Sequence, residues 1–288
     1  MNKLISFILC ICAVAFTSCG LDPLGKDSES STSGSGSNNT GGGDHDMSLT
    51  VPGDLLGNAH AEDSYVRLFV ELRSVKEGGP TYNYANTINL AALSEVDIPE
   101  IKDGVYDVYA WADTFTSIKD KTPFYNVENL AAVSFEAASY KGADTAEREA
   151  YYVAQKNITI DGKLLNIEMK HPHAAYEIVV ENPYDKFAGA TDGLKAEVTY
   201  VNFLPSGFNV FNQNINDSVS GVSYSKSLPV ITSQTTELSV GKDIVLCGSR
   251  ASEITLSVKI KDDSGNVCYE SESVRVMLEN GKLNKVVL

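Results

Sequence analysis

From residue 64 onward, apolar and polar side chains alternate in short runs. Residues 64–73 read SYVRLFVELR, with Val66, Leu68, Val70 and Leu72 on one face and Arg67, Glu71 and Arg73 among those opposite. A period of two is the pattern of a strand with one buried face. Residues 104–113 repeat it, Val105, Asp107, Tyr109 and Trp111 alternating against Tyr106, Val108 and Ala110. The same reading predicts strands at 151–160, 163–170, 175–181, 195–201, 236–240, 244–247, 254–260, 267–276 and 282–288. Tyr, Val, Thr and Ile dominate these runs, as half-buried pleated surfaces prefer. Gly78-Gly79, Asp161-Gly162, Asp192-Gly193, Asp262-Asp263-Ser264-Gly265 and Asn280-Gly281 separate them, and Asp-Gly or Asn-Gly supplies the positive φ of a tight turn. A helical pattern is confined to residues 143–150, with a shorter turn at 93–96. Strands spaced by roughly 8–12 residues without crossover helices predict an all-β chain of antiparallel sandwiches. A boundary near Asp161-Gly162 gives domains at 49–162 and 163–288, each of ordinary size; one continuous sandwich is the alternative. No fixed-period repeat points to a solenoid or propeller.

The first 48 residues follow other rules. Lys3 precedes LISFILCICAVAF at residues 4–16, an apolar run too short to cross a hydrocarbon core that needs about 20 residues. It has the form of a signal peptide spanning residues 1–18. Phe16-Thr17-Ser18-Cys19-Gly20 resembles a bacterial lipobox, which makes Cys19 the acylated residue, with Phe16 in place of the usual Leu. Residues 28–43 hold six Ser, five Gly, two Thr, two Asn and one Glu, too polar to repay their ordering entropy. Residues 19–48 therefore read as a lipidated, flexible tether, its 28 residues from 20 to 47 spanning roughly 30 Å as a coil.

Charge narrows the partners. The 288 residues carry 38 Asp+Glu against 23 Lys+Arg, a formal −15, and removal of the leader with Lys3 leaves 22 basic side chains and −16. A nucleic-acid binder needs a basic footprint, which is missing. The same charge opposes contact of the folded part with anionic lipid, so acylated Cys19 is the expected link to the outer-membrane bilayer.

Several segments resemble the fimbrillin-type surface lipoproteins of Bacteroidetes. The strongest is Asn166-Ile167-Glu168-Met169-Lys170-His171-Pro172-His173-Ala174-Ala175-Tyr176-Glu177-Ile178-Val179-Val180, similar to the opening of that family's second domain. Ala146-Glu147-Arg148-Glu149-Ala150-Tyr151-Tyr152 resembles the charged stretch and aromatic pair before it, and residues 105–113, with Trp111-Ala112-Asp113, a first-domain strand of an uncharacterised branch. A weak echo of the family's ending runs from Val274 to Leu283. The resemblance implies two tandem transthyretin-like Greek-key sandwiches, display at the cell surface, and in polymerising members assembly with other fimbrial subunits by strand donation. No Arg lies between Cys19 and Ser64, and Lys26 is the only Lys there. The expectation is thus a permanently tethered anchor, cap or stand-alone lipoprotein that binds host or microbial surface ligands, rather than a cleaved shaft subunit. A monomeric glycan-binding lipoprotein of polysaccharide uptake is the alternative.

Reaction chemistry is sparse, and neither enzyme activity nor a cofactor is expected. His171-Pro172-His173 puts two imidazoles on one face of a strand, but without a third ligand a metal site is not expected. Asp44-His45-Asp46 reads as solvated tether, and residues 262–266 as a hairpin turn rather than a Ca²⁺ loop. Cys247 and Cys268 sit on neighbouring predicted strands, a possible disulfide or two buried thiols. Trp111, alternating away from Tyr106, reads as core.

Overall fold

The computed structural model describes residues 43–57, 64–115, 123–140, 142 and 148–288. The signal segment, Cys19, most of the tether and five residues of the expected helix at 143–147 lie outside them. No described helix is long and apolar enough to cross a membrane.

The first part of the chain forms β1 (Gly43–Thr50), β2 (Tyr65–Ser74), β3 (Thr81–Asn89), β4 (Val96–Ile101), β5 (Gly104–Phe115), β6 (Val133–Ser134), β7 (Ala150–Ile160) and β8 (Leu165–Glu168). The second part forms β9 (His173–Glu181), β10 (Lys195–Tyr200), β11 (Leu204–Asn209), β12 (Asn214–Val219), β13 (Ser223–Ser227), β14 (Glu237–Leu246), β15 (Ser252–Lys261), β16 (Val267–Leu278) and β17 (Leu283–Val287). The turn expected near residue 93 is a 3-10 helix, Leu90–Glu95, capped by Asn89, whose Oδ1 accepts from Ala91 N.

In the first sandwich, the sheet β3-β2-β5-β7 faces the sheet β4-β1-β8. The alternation in β2 decides which side faces in: Val66, Leu68, Val70 and Leu72 are each 3% exposed or less. Burying each such side chain contributes about 1.5–3 kcal/mol. Met47 and Leu49 of β1 join the same core, and β1 pairs antiparallel with β4 and parallel with β8. The first described strand therefore starts at Gly43, and the backbone of Asp44-His45-Asp46 is strand rather than tether. Two alternating apolar residues, Met47 and Leu49, were too short a pattern to show it. Strand β8 likewise follows Gly162 yet belongs to this sandwich, where Ile167 and Met169 are buried. The strand pairing carries the first core to Met169.

In the second sandwich, β13-β10-β15-β16 faces β14-β9-β17. The runs expected at 236–240 and 244–247 are one strand, β14, with a bulge between Ser239 and Gly241. A Cβ at Gly241 would lie 2.9 Å from the Tyr224 hydroxyl, so close packing requires the glycine whose presence breaks the alternation.

A third sheet, β12-β11-β6, joins the two sandwiches. Strands β5 and β7 bury both faces: Tyr106, Val108, Ala110 and Ala112 point into the first core, while Tyr109, Trp111 and Tyr152 point into the second. Trp111 lies 6.0 Å from the Phe208 ring, and Tyr152 lies 5.0 Å from it. Tyr109 packs edge-on to Phe211 at 4.7 Å. The sandwiches thus share a continuous apolar contact through the outer face of β5.

Candidate functional site

Residues 123–140 fold back over the outward face of β2 and β3 and leave a cavity of about 960 Å³ between them. This volume lies near the upper end of the range for small-molecule sites, about 300–1,000 Å³. The strand wall presents Phe69, Asn83 and Glu71, because Phe69 pairs with Ala85 and Glu71 with Asn83 on the face opposite Val70. Phe124, Asn126 and Glu128 form the facing wall. The Phe124 ring is braced edge-on by Tyr125 at 4.9 Å and by the tilted ring of Phe135 at 4.8 Å.

Arg67 fastens the two walls together. Its Nε donates to Asp113 Oδ1 at 3.0 Å, and its Nη2 donates both to Asp113 Oδ2 and to the Tyr125 carbonyl, the latter at 2.8 Å. Asp113 is 1% exposed; burial raises its pKa, and the Arg67 guanidinium opposes that rise. A planar fork matching a carboxylate in two bonds fixes orientation as well as charge. The Arg67 guanidinium also lies 5.6 Å over the Phe69 ring. At the groove's rim, the Asn126 and Asn129 side-chain oxygens accept from the backbone N–H groups of Glu128 and Ala131 at 3.0 and 2.7 Å. Asn126 and Ser134 exchange both backbone bonds, and Val210 N donates to the Leu130 carbonyl, so the loop is tied to β11 behind it.

Beneath this wall lies a buried polar network. Arg148 Nη1 bonds Asp243 Oδ1, and its Nη2 donates to the Ile244 carbonyl. Tyr140 and Tyr200 donate to Asp243 Oδ2 at 2.7 and 2.6 Å, Tyr176 donates to Tyr200, and Tyr176 and Tyr224 lie 3.1 Å apart. Arg148 is 3% exposed and Asp243 is fully buried. A charge in such surroundings needs a partner and hydrogen bonds together, and the guanidinium also stacks 4.7 Å from the Tyr140 ring. The network therefore pins the residues entering β7 of the first sandwich to β14, β10 and β9 of the second.

The two histidines of the Lys-His-Pro-His segment serve packing. His173 is 1% exposed and bonds the Tyr125 hydroxyl at 2.8 Å. Since that hydroxyl donates its single hydrogen to the Arg148 carbonyl, His173 Nε2 is the donor. Burial first, then His171 and Arg148, hold the His173 pKa well below the usual range, so it stays neutral. His171 Nε2 reaches the Gly53 carbonyl at 2.8 Å. Among the described residues no group of three or more His, Cys, Asp or Glu is placed to hold a metal.

Glu149 stands beside the Asp54 carboxylate and accepts from the Tyr151 hydroxyl at 3.3 Å. Burial, then Asp54, push its pKa up to about 8. The native state thus holds a proton that the unfolded carboxyl releases near its ordinary 4.5. That contribution to stability is complete below about 4.5 and is lost as pH rises through about 8. Glu149→Gln should leave stability at pH 5 unchanged and raise it at pH 9 by about 2 kcal/mol. Urea unfolding at the two pH values checks this, and an unchanged difference between them would refute it.

Cys247 and Cys268 are free thiols. Cys247 adjoins Ser252, where β15 begins, whereas Cys268 lies in the bulge opposite the end of that ten-residue strand. Some 30 Å separates the two positions, against the roughly 7 Å limit between Cα atoms of a disulfide. Adjacency of the two strands does not bring the thiols together, because they fall at opposite ends of β15. Burial pushes the Cys247 pKa up to about 11. A thiol reagent should label Cys268 in native protein and Cys247 only after unfolding; one residue labelled in neither state would contradict the free pair.

The sequence marked Arg67 only as an outward strand residue and left residues 123–139 without an element. It carried one usable signal for Asp243: an acid opening the apolar run Ile244-Val245-Leu246, two residues after the bulge glycine.

The model of a family of unknown function, DUF6562, matches residues 59–287, and the chain belongs to that family. No curated protein matches the chain. Among solved structures, a candidate cell adhesion protein from Bacteroides ovatus is similar over 84% of this chain and 91% of its own, at 12% identity and a TM-score of 0.48. The fimbrial anchor protein Mfa2 from Porphyromonas gingivalis is similar over 80% and 82%, at 11% identity and 0.40. A candidate polysaccharide binding protein from Bacteroides thetaiotaomicron is similar over 80% of each chain, at 13% identity and 0.47.

Proposed function

We propose that this DUF6562 member is a non-catalytic cell-surface lipoprotein that acts in adhesion, as a fimbrial anchor, tip or assembly component. It is held to the outer membrane by acyl chains on Cys19 and engages other fimbrial subunits or host and microbial surface ligands. The observation that carries this reading is the groove of about 960 Å³ on a body whose two sandwiches are locked together. A rigid, aromatic-lined concavity with convergent polar groups is the form a recognition site takes. The lipobox and the polar tether supply the display. A second reading, a monomeric glycan-binding lipoprotein in polysaccharide uptake, draws on the same groove, because half-buried Phe69 and Phe124 line it.

Cells producing the chain, its Cys19→Ala variant, or neither separate the readings. The variant should leave the outer-membrane fraction, and attachment to mucin-coated surfaces should fall to the level of cells lacking the protein. Equal attachment in all three would overturn the adhesion reading, and a growth defect on polysaccharide in place of an attachment defect would favour the second.

A further inference from the structure

We infer that the groove between β2–β3 and residues 123–139 is an oligosaccharide site selective for uncharged sugars, a proposal that rests on the binding-protein reading above. Two kinds of surface are needed to hold a sugar: apolar ring faces for its C–H side, and paired donors and acceptors for its hydroxyls. The groove has both. Phe69 and Phe124 are half-buried, with part of each ring open to the cavity. Phe124 is held by its contacts with Tyr125 and Phe135, and Phe69 lies beneath the Arg67 guanidinium. Little rotamer freedom remains to be lost on binding.

The polar groups are set with their direction fixed. Because the Asn126 side-chain oxygen is taken up by a backbone N–H, its amide NH₂ remains as a donor at the rim. Asn83 is exposed on the strand wall opposite, and Glu128 and Glu136 add acceptors. Their charge sets the selectivity. The Arg67 cation is taken up by buried Asp113, and Glu71 is paired with Arg73. Exposed Glu128 and Glu136 then leave the groove negative, on a chain that is already −15. Uronic acids, sulfated sugars and sialylated glycans are repelled, and neutral hexose chains are not.

Calorimetric titration of the mature chain, residues 19–288, with cellohexaose, maltohexaose and mannohexaose tests this, with hexagalacturonate and hexalysine as charged counterparts. At least one neutral hexasaccharide should saturate the protein. Phe124→Ala should weaken that binding about tenfold, and Asn83→Ala, an exposed strand position that leaves the fold intact, about threefold. Phe203→Ala, an exposed phenylalanine outside the groove, should change nothing. Hexagalacturonate should bind only when Glu128→Gln and Glu136→Gln are combined. The proposal is overturned if no neutral sugar binds, if the Phe124→Ala and Asn83→Ala proteins bind as tightly as the unaltered chain, or if hexalysine binds more tightly than every sugar. Should it fail while attachment still depends on Cys19, the ligand class is wrong and the surface-binding reading stands. Loss of the Cys19 dependence as well removes both.

Discussion

Arg148→Met should destabilise the protein by about 3–5 kcal/mol, the usual effect of removing one partner from a buried ion pair. The carboxylate of Asp243, fully buried, would lose the guanidinium while still accepting from Tyr140, Tyr200 and Ile244 N. Two hydroxyls and one amide do not neutralise a charge at that depth. The double variant Arg148→Met with Asp243→Leu should recover much of the loss, since apolar replacements of both members are often nearly neutral. Urea unfolding followed by circular dichroism measures all three. A loss below about 1 kcal/mol for the single variant would mean that the pair is solvated.

Trp111→Ala is the second large effect. Trp111 is fully buried and touches Tyr125 edge-on at 5.3 Å as well as Phe208, so its removal leaves a cavity where the two sandwiches meet. Phe or Trp to Ala in a core costs about 3–5 kcal/mol. The wild-type chain should melt in one transition, because the face of β5 that carries Trp111 is satisfied only by the second core. In the variant, the transition should move down by several degrees and broaden, as the halves lose their shared contact. Unchanged calorimetric width and midpoint would show that the halves are coupled elsewhere.

Strand periodicity carried the all-β class and most strands of both cores, most plainly in β2 and β15, where buried and open positions alternate along most of each ten-residue strand. The strands missed were those on which alternation is short, as in β1 and β4, or fails. β3 (TYNYANTIN) is an edge strand, mostly open to solvent, and β12 (NINDSV) and β13 (SYSKS) are short and largely polar, with Tyr224 the one fully buried side chain of the pair. β11 contains Pro205 and Gly207, which read as loop. Packing on both faces, as in β5, is invisible to a rule that expects one wet side. The groove was less legible still. Its outer wall is a loop without period, and its position depends on Arg67 meeting Asp113 and the Tyr125 carbonyl, partners 46 and 58 residues away. Arg148 and Asp243 lie 95 residues apart, and no local pattern joins them.

The two-sided burial of β5 also sets a schedule. A chain made from its N-terminus completes the first core at Met169, roughly 40 residues before Phe208 emerges to cover Trp111. At about 5–20 residues per second, that interval is about 2–8 s. During it the first sandwich is able to close around Leu68 and Leu72, yet Tyr109, Trp111 and Tyr152 face water as an aromatic stripe. For those seconds the nascent chain is at its stickiest, and whatever handles it on the way to its destination must shield that face.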